Sequence, residues 1–387
     1  TLLGPRRLFT AEKETLEALL AESAERQQEV TDQLGRQVRR AVEILVHALD
    51  RTDRESKGAL LAGVSERELY DAAVTFMMRL VFLFCAEEQG LFPLDDEQYA
   101  GNYAASTLFG QLNDAADEMG GQVLDRRTDA WQRLLATFRA IHGGVDHEGM
   151  ALPPYGGHLF DPDRFPFLEG RPRESRWKTT AARPLPISNL TVLHLLSALQ
   201  LLRDAKTGEA QRLSFRALDI EQIGHVYEGL LDHTVRKATA PMVSLKGKEA
   251  EEPEVEVSRL EELLAKGPAA LAAAVVELSG RTQNAINRDL AAALPADDEH
   301  LLAVACENDA ALAARVRPFA GLVRRDADGL PVVIPAGSHF VTAGSDRRST
   351  GTHYTPRSLT EPIVRYTLEP LVYVGPAEGK PETEWTL

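Results

Sequence analysis

The chain has 387 residues, of which 44% are hydrophobic and 26% are charged, an ordinary balance for a soluble globular protein. Because one hydrophobic core rarely serves so many residues, the length predicts two domains or three. The formal net charge of −15 counts against a broad basic surface for nucleic acid but leaves room for local basic patches. No apolar run approaches the roughly 20 residues that a membrane span needs. No secretory signal is visible either, so we expect a cytoplasmic protein without a membrane partner.

The first 90 residues predict helices throughout, because apolar residues recur at intervals of three and four. The clearest helix is predicted between Ser65 and Gln89. Ser65 and Glu68 form a capping-box pattern at its start, and Gly90 followed by Pro93 marks its end. One face of this helix is apolar and should be buried: Leu69, Ala72, Ala73, Phe76, Met77, Leu80 and Phe84.

The middle of the chain alternates helical and irregular sequence. Shorter helices are predicted at residues 107–119, 129–141, 190–203 and 219–233, and Ala-rich helical sequence continues to about residue 316. Residues 143–186 are rich in Gly, Pro, His and Arg, and a long irregular segment of this kind is often functional. Residues 238–257 carry many charges, which predicts an exposed excursion that contains short strands.

The character of the sequence changes near its C-terminal end. Residues 322–334 predict a hairpin that turns at Asp328-Gly329, and residues 339–342 predict a strand. We therefore predict a mainly α fold in four segments. They are a helical N-terminal domain (1–142), an irregular connector (143–187), a helical domain (188–318) and a segment containing short strands (319–387).

No metal site is predicted. The two cysteines, Cys85 and Cys306, lie far apart in predicted helices, as reduced core thiols do. Asp146-His147-Glu148 suggest metal ligands, but adjacent residues rarely converge on one ion. Glu55-Ser56-Lys57 is a short match to a nuclease motif that needs a strand, whereas its setting here is helical, so we expect a solvated face.

Residues 344–359, GSDRRSTGTHYTPRSL, have the composition of a loop that opens a helix. Gly351 lets the backbone approach a ligand closely, Thr355 suits the N-cap, and Pro356 suits the first helical position. Because free N–H groups at a helix N-terminus favour carboxylates and phosphates, one interpretation is a loop that contacts an anion or a cofactor. The other interpretation is an ordinary capped loop.

The run Gly351-Thr352-His353-Tyr354-Thr355-Pro356, followed by Leu359 and Ile363-Val364, resembles a known motif. It is similar to the motif that opens the methyltransferase domain of gamma-class N6-adenine DNA methyltransferases. In that family the Tyr-Thr-Pro loop lies against the methionine end of S-adenosylmethionine. The resemblance implies that residues 319–387 begin an α/β methyltransferase domain. It also implies four contacts to the cofactor: Thr352, Tyr354, Thr355 and Pro356.

Three upstream segments resemble the same large enzymes: LVFLFCAEEQGLFP (80–93), YGGHLFD (155–161) and IGHVYEGLLD (223–232). Their order is similar to the N-terminal half of type IIG and type IIL restriction-modification enzymes. The methyltransferases of the BREX and DISARM phage-defence systems look similar too. The resemblance implies an intact protein that methylates adenine N6 in double-stranded DNA. The alternative is a non-catalytic helical scaffold that docks other subunits of a defence complex, which the acidic balance favours.

The family's catalytic residues are missing from this sequence. A glycine-rich cofactor loop and an Asn-Pro-Pro-Tyr motif should follow the Tyr-Thr-Pro helix, and neither occurs before Leu387. Leu152-Pro153-Pro154-Tyr155 is no substitute, because leucine cannot accept a hydrogen bond from the adenine amine. We therefore predict no catalytic residue here. The chain also begins without methionine, which indicates a processed or excised piece that should be inactive alone.

Two basic clusters are predicted to contact DNA. The first flanks Trp177 and comprises Arg171, Arg173, Arg176 and Lys178. The second comprises Arg347 and Arg348, just ahead of Tyr354. Basic side chains beside an aromatic ring are typical of phosphate contact combined with base stacking. For the first cluster the alternative is a solvated loop with one partly buried tryptophan.

Overall fold

The computed structural model describes residues 16–147, 150–203, 210–217, 220–231, 233–248, 252–292, 294–326, 329–344, 357–374, 381 and 383. The fold is mainly helical, with 58% helix and 11% strand, which confirms the predicted mainly α class. The chain forms two compact units. The larger unit consists of residues 36–216 and 233–344, and the smaller unit of residues 1–35, 217–232 and 345–387.

A series of helices comes first: α1 (Leu16–Glu55), α2 (Glu66–Glu88), α3 (Glu97–Asn102), α4 (Ala105–Met119), α5 (Gly121–Asp125) and α6 (Asp129–Gly143). Helix α2 has its predicted N-cap, since the Ser65 hydroxyl accepts the Glu68 N–H at 3.1 Å. All seven residues of its predicted apolar face are buried. By length and composition alone α2 could cross a membrane, contrary to the sequence-based expectation, but 78% of its most apolar window is buried inside the fold. A core helix of a large unit has this burial.

The segment after α6 is mostly irregular and is fastened to α2. Strands β1 (Val145–His147) and β2 (Met150–Leu152) form a short antiparallel hairpin, and a 3₁₀ turn follows at Pro166–Glu169. The buried guanidinium of Arg79 on α2 donates to the carbonyl oxygens of Leu159 at 2.6 Å and Asp161 at 3.0 Å. Burial lowers the pKa of Arg79 to about 10, which leaves it charged at neutral pH. The carbonyl groups of an irregular segment therefore find their hydrogen-bond donor in the helical core.

The next elements are α7 (Asn189–Gln200), β3 (Leu201–Arg203), β4 (Ala210–Arg212), a 3₁₀ turn (Phe215–Ala217), α8 (Ile220–Leu230) and β5 (His233–Lys237). The elements after β5 are β6 (Met242–Ser244), β7 (Glu254–Glu256), α9 (Val257–Ala265), α10 (Pro268–Ser279), α11 (Gln283–Ala291), α12 (Ala296–Ala305) and α13 (Ala310–Val316). A 3₁₀ turn (Arg317–Leu322), β8 (Val333–Ile334), β9 (His339–Ala343) and α14 (Arg357–Val372) complete the order.

Residues 238–338 form an inserted subdomain. Strand β5 pairs antiparallel with β9, from His233 opposite Ala343 to Lys237 opposite His339. The pairing is continued by the N–H of Ala238, which donates to the Ser338 carbonyl at 2.8 Å. The chain thus enters the inserted subdomain through β5 and leaves it beside β5 through β9. The predicted strand at residues 339–342 is confirmed, but its partner lies about 100 residues earlier in the chain.

The inserted subdomain has its own hydrophobic core, in which helices α9 to α13 pack with a three-stranded sheet ordered β7-β6-β8. Val243, Leu245 and Val255 are buried there, so the predicted exposed excursion at 238–257 is wrong at these positions. The short strands predicted within this segment are present as β6 and β7. The predicted domain boundary at 318/319 also crosses this core, because Val316 and Phe319 belong to it together.

In the smaller unit, α14 begins at Arg357 and runs through Pro362 and Pro370. Its apolar side chains are exposed to an unusual degree, reaching 74% for Tyr366 and 78% for Leu371. Further exposed apolar residues on or just after α14 are Ile363, Val364, Leu368, Val372, Tyr373 and Val374. Exposed apolar patches of this size are typical of surfaces that bind another molecule.

Candidate nucleic-acid interface

The two sets of residues predicted near the Tyr-Thr-Pro motif lie outside the described residues. They are the cofactor contacts Thr352, Tyr354, Thr355 and Pro356, and the basic pair Arg347 and Arg348. Helix α14 begins at Arg357, directly after the motif. The structure therefore shows the predicted helix after the motif but does not describe the motif itself.

The first basic cluster lies in residues 161–183, called the basic loop from here on. Arg171 is at its centre, and its side chain has no exposed surface. Its Nε donates to the Glu169 carboxylate at 2.6 Å, and its other nitrogens reach Asp163 at 3.0 Å and the Ser175 hydroxyl at 2.9 Å. A further bond of 2.5 Å goes to the Pro162 carbonyl. Arg171 was predicted to contact DNA, but these bonds and its burial make it the internal brace of the loop.

Two carboxylates complete this buried ionic network. Glu169 receives a bidentate pair from Arg139 of α6, with distances of 2.7 and 2.6 Å. Asp163 accepts the backbone N–H of Trp177 at 2.7 Å. Buried charges are tolerated only when they are paired and hydrogen-bonded, and here each one is. The network therefore fixes the loop to α6 and fixes residues 176–178 beside residue 163.

Trp177 is half-buried and packs against the C-terminal end of α6. A Cβ at Gly143 would come within 2.8 Å of the Trp177 ring, so only glycine leaves room for the ring. The Arg139 guanidinium lies 5.7 Å and the Lys178 ammonium 5.6 Å from the ring centre, both at cation–π distance. The indole is thus held by the protein itself, which matches the alternative of a partly buried tryptophan.

The remaining predicted cations are exposed. The Arg176 side chain is 77% exposed and lies 3.7 Å from Asp163, and Lys178 is exposed with only its ring contact. Arg173 is 58% exposed but donates to the Gly63 carbonyl and to Glu68. Two exposed cations of the same loop, Arg164 and Arg183, were not predicted. The basic composition of residues 161–183 could have indicated them, but the predicted cluster included only the side chains nearest Trp177.

Other sequence candidates take structural roles. Leu152 is buried, and Tyr155 packs edge-on against Phe92 with ring centres 5.6 Å apart, so the Leu-Pro-Pro-Tyr run belongs to the hairpin's packing. Glu55 ends α1 and pairs with Arg51 on the same helix, which confirms the helical setting expected for that segment. Asp146 and His147 lie on exposed positions of β1, and Glu148 is outside the described residues.

The two cysteines are protonated thiols in the described part of the chain. Burial raises the pKa of Cys85 and of Cys306 to about 11, so both thiols are protonated at neutral pH. Within the described ranges, no three His, Cys, Asp or Glu side chains gather closely enough to hold a metal ion.

Comparison of the chain with protein-family models, with curated proteins and with solved structures finds no match.

Proposed function

We propose that this chain is the N-terminal portion of a site-specific DNA methyltransferase that modifies adenine N6. It would act in the cytoplasm as part of a restriction-modification or phage-defence system. The observation that carries the proposal is the run Gly-Thr-His-Tyr-Thr-Pro at 351–356 immediately ahead of helix α14. The ordered upstream segments at 80–93, 155–161 and 223–232 support it.

The residues of the motif fit the methionine end of S-adenosylmethionine. Thr352 and Thr355 carry hydroxyl groups, and the N-terminus of a helix such as α14 favours a carboxylate. Tyr354 and Pro356 offer apolar surface to the rest of that group. When bound, S-adenosylmethionine supplies the methyl group for transfer. The four residues would bind and orient it, while Arg176, Lys178, Arg347 and Arg348 would contact the DNA backbone.

The test uses the protein translated from its entire reading frame, S-adenosylmethionine labelled in the methyl group, and double-stranded DNA. We expect label in DNA and N6-methyladenine in its hydrolysate. Tyr354→Ala should weaken cofactor binding at least tenfold, since it removes ring surface from the cofactor's wall. Tyr366→Ala is the matched control, because Tyr366 is 74% exposed on α14 and lies outside the motif. Folded protein that transfers no label to DNA would refute the proposal.

A second candidate function has its own supporting observation. The exposed apolar side chains of α14, with Ile363 at 63% and Leu371 at 78%, favour a helical module that docks other subunits of a defence complex. Such docking would depend little on salt, whereas binding to DNA phosphates weakens steeply as salt rises. Subunit capture by the wild-type chain, lost in Leu371→Ser and unchanged between 50 and 500 mM salt, would support this reading.

A further inference from the structure

The basic loop stands out because it is cationic within an acidic chain. Residues 161–183 contain six basic and four acidic side chains, whereas the whole chain has a net charge of −15. Two of the four acids, Asp163 and Glu169, form ion pairs with the buried Arg171. Asp161 is half-buried, and its carboxylate accepts the Asp163 N–H at 2.8 Å. Glu174 is then the one fully exposed acid of this loop. The exposed surface is therefore more basic than the composition indicates.

The exposed cations make few interactions within the protein that would be lost on binding an anion. Arg164 packs its guanidinium 5.0 Å from the Phe165 ring, and Lys178 lies over Trp177. Among the described residues, no ion pair joins Arg164, Lys178 or Arg183 to a carboxylate. Arg176 meets Asp163 only at 3.7 Å and is mostly solvated, and an ion pair of that kind contributes little. A phosphate would therefore gain these cations without breaking a strong interaction.

The backbone brings these cations onto one small folded loop. The bond from Trp177 N–H to Asp163 places residues 176–178 beside Arg164. The Arg183 N–H donates to the Glu169 carbonyl at 2.9 Å, which closes the other end of the loop. Gly170 makes that closure possible, because a Cβ there would lie 1.9 Å from the Arg183 carbonyl oxygen. The cations are thus carried on a braced backbone, so binding orders only their side chains and does not have to order the backbone as well.

We propose that Arg164, Arg176, Lys178 and Arg183 form one docking surface for the backbone phosphates of double-stranded DNA, with Trp177 as its anchor. This rests on the proposed function only in taking DNA as the partner. The indole is wedged against Gly143 and flanked by two cations of the protein, so it fixes the loop and does not stack on a base. Recognition through phosphates alone carries no sequence information and depends strongly on salt.

The test measures the affinity of the full chain for a fluorescein-labelled 20-base-pair duplex by anisotropy over a series of NaCl concentrations. The test variant combines Arg164→Gln, Arg176→Gln, Lys178→Gln and Arg183→Gln. At 0.1 M salt each lost phosphate contact should weaken binding by up to about 8-fold, and each should reduce the slope of log K against log salt by about 0.9. Circular dichroism and thermal unfolding should stay close to wild type, because these side chains are exposed and their ring contacts and one loose ion pair contribute little to stability.

The control replaces two highly exposed cations elsewhere, Arg67→Gln and Arg288→Gln, whose side chains are 92% and 78% exposed. The control should bind the duplex as wild type does. If the loop variant keeps wild-type affinity and slope, or if the wild-type chain does not bind the duplex at low salt, the docking surface is refuted. Trp177→Phe keeps the packing and should leave affinity for the duplex and for a single strand unchanged. A selective loss on the single strand would contradict the anchor role.

The outcomes separate this inference from the proposed function. If the full-length protein transfers methyl groups and the loop variant binds DNA as wild type does, the proposed methyltransferase function is supported and the docking surface is refuted. If the protein transfers no methyl group but the loop variant loses the salt-dependent binding to DNA, the docking surface is supported and the proposed methyltransferase function is refuted.

Discussion

Helix α1 and the inserted subdomain are joined by charged side chains, and the pair Glu43–Arg324 is the most buried part of this contact. The Arg324 guanidinium donates to Glu43 at 2.9 Å and to the Ser244 hydroxyl at 2.6 Å. The two charged side chains are only 12% and 10% exposed. Arg39 and Arg40, on the same helix as Glu43, lie 3.1 and 2.8 Å from its carboxylate. Arg324→Met removes the partner across the contact and keeps side-chain bulk.

We expect Arg324→Met to lower the free energy of unfolding by about 2–3 kcal/mol. Removing one partner of a buried pair usually costs roughly 3–5 kcal/mol. We expect a smaller cost here because Glu43 keeps its ion pairs with Arg39 and Arg40. Glu43→Gln should cost a similar amount, since Arg324 would then face a neutral amide. In the double variant the losses should not add, because both sides become uncharged, and we expect a coupling of at least about 1 kcal/mol.

The same pair predicts a dependence on pH. Burial alone would raise the pKa of Glu43, but attraction by Arg324 and Arg40 outweighs it and sets the pKa below its usual range. Glu43 therefore contributes stability above its unfolded-state pKa of about 4.3, and this contribution is lost as pH falls through the lower folded-state pKa. Without Arg324 the folded-state pKa rises, so acid destabilisation should begin at higher pH.

Urea unfolding at pH 7 and at a series of values down to pH 3, followed by circular dichroism, measures both effects. The control is Arg51→Met, because the exposed pair Arg51–Glu55 has side chains that are 68% and 58% exposed and should contribute less than about 0.5 kcal/mol. Equal costs for Arg324→Met and Arg51→Met, or strict additivity in the double variant, would refute the reasoning.

Three further predictions concern the fold. Glu87→Ala should cost about 2 kcal/mol or more in chemical denaturation, because the buried carboxyl accepts the Ala105 N–H at 2.8 Å and caps α4; Glu87→Gln should cost less. Burial raises the pKa of Glu87, so wild-type stability should fall as pH rises past about 4.3, and Glu87→Gln should lack that slope. Gly170→Ala should expose the basic loop to proteases, since its Cβ would meet the Arg183 carbonyl at 1.9 Å; intact resistance would count against the closure described. Phe319→Ala, at a position 1% exposed, should cost about 3–5 kcal/mol and speed hydrogen exchange across residues 242–334.

Local patterns predicted the helices well. Helix α2 could be recognised because its cap at Ser65 and its apolar spacing lie within one run of residues. The hairpin at 322–334 was predictable for the same reason, and the bond from Val332 N–H to the Arg324 carbonyl at 2.9 Å confirms its antiparallel pairing, whereas Asp328 of the predicted turn lies outside the described residues. In each case the information that determines the element is contained in the element.

Long-range pairing could not be predicted in the same way. Nothing in the sequence of β9 indicates that its partner is β5, because antiparallel pairing depends on which strand edges the rest of the fold brings together. Strands β6 and β7 have three residues each and lie among charged residues. The alternation of apolar and polar residues around Val243 and Val255 is therefore too short to predict a buried face. The inserted subdomain and its core were missed for that reason.

The candidate site shows the same division. The exposure of Arg176 and Lys178 was predictable from a polar, proline-rich segment. The burial of Arg171 was not, because it depends on Glu169 and Asp163 folding around it, and a lone arginine in a sequence carries no sign of its partners. The role of Trp177 depends on the missing Cβ of Gly143, which lies 34 residues earlier in the chain.

An acidic protein can still present a surface to a polyanion when its charges are distributed as they are here. Carboxylates that lie more than about 8–10 Å from a binding phosphate are largely screened at physiological salt, so the net charge of −15 acts weakly at the basic loop. What decides attraction is the local balance, and the network around Arg171 removes Asp163 and Glu169 from that balance by burying and pairing them. The exposed cations then face solvent almost unopposed. The buried ion pairs thus do more than brace the loop, because they also determine the sign of its surface.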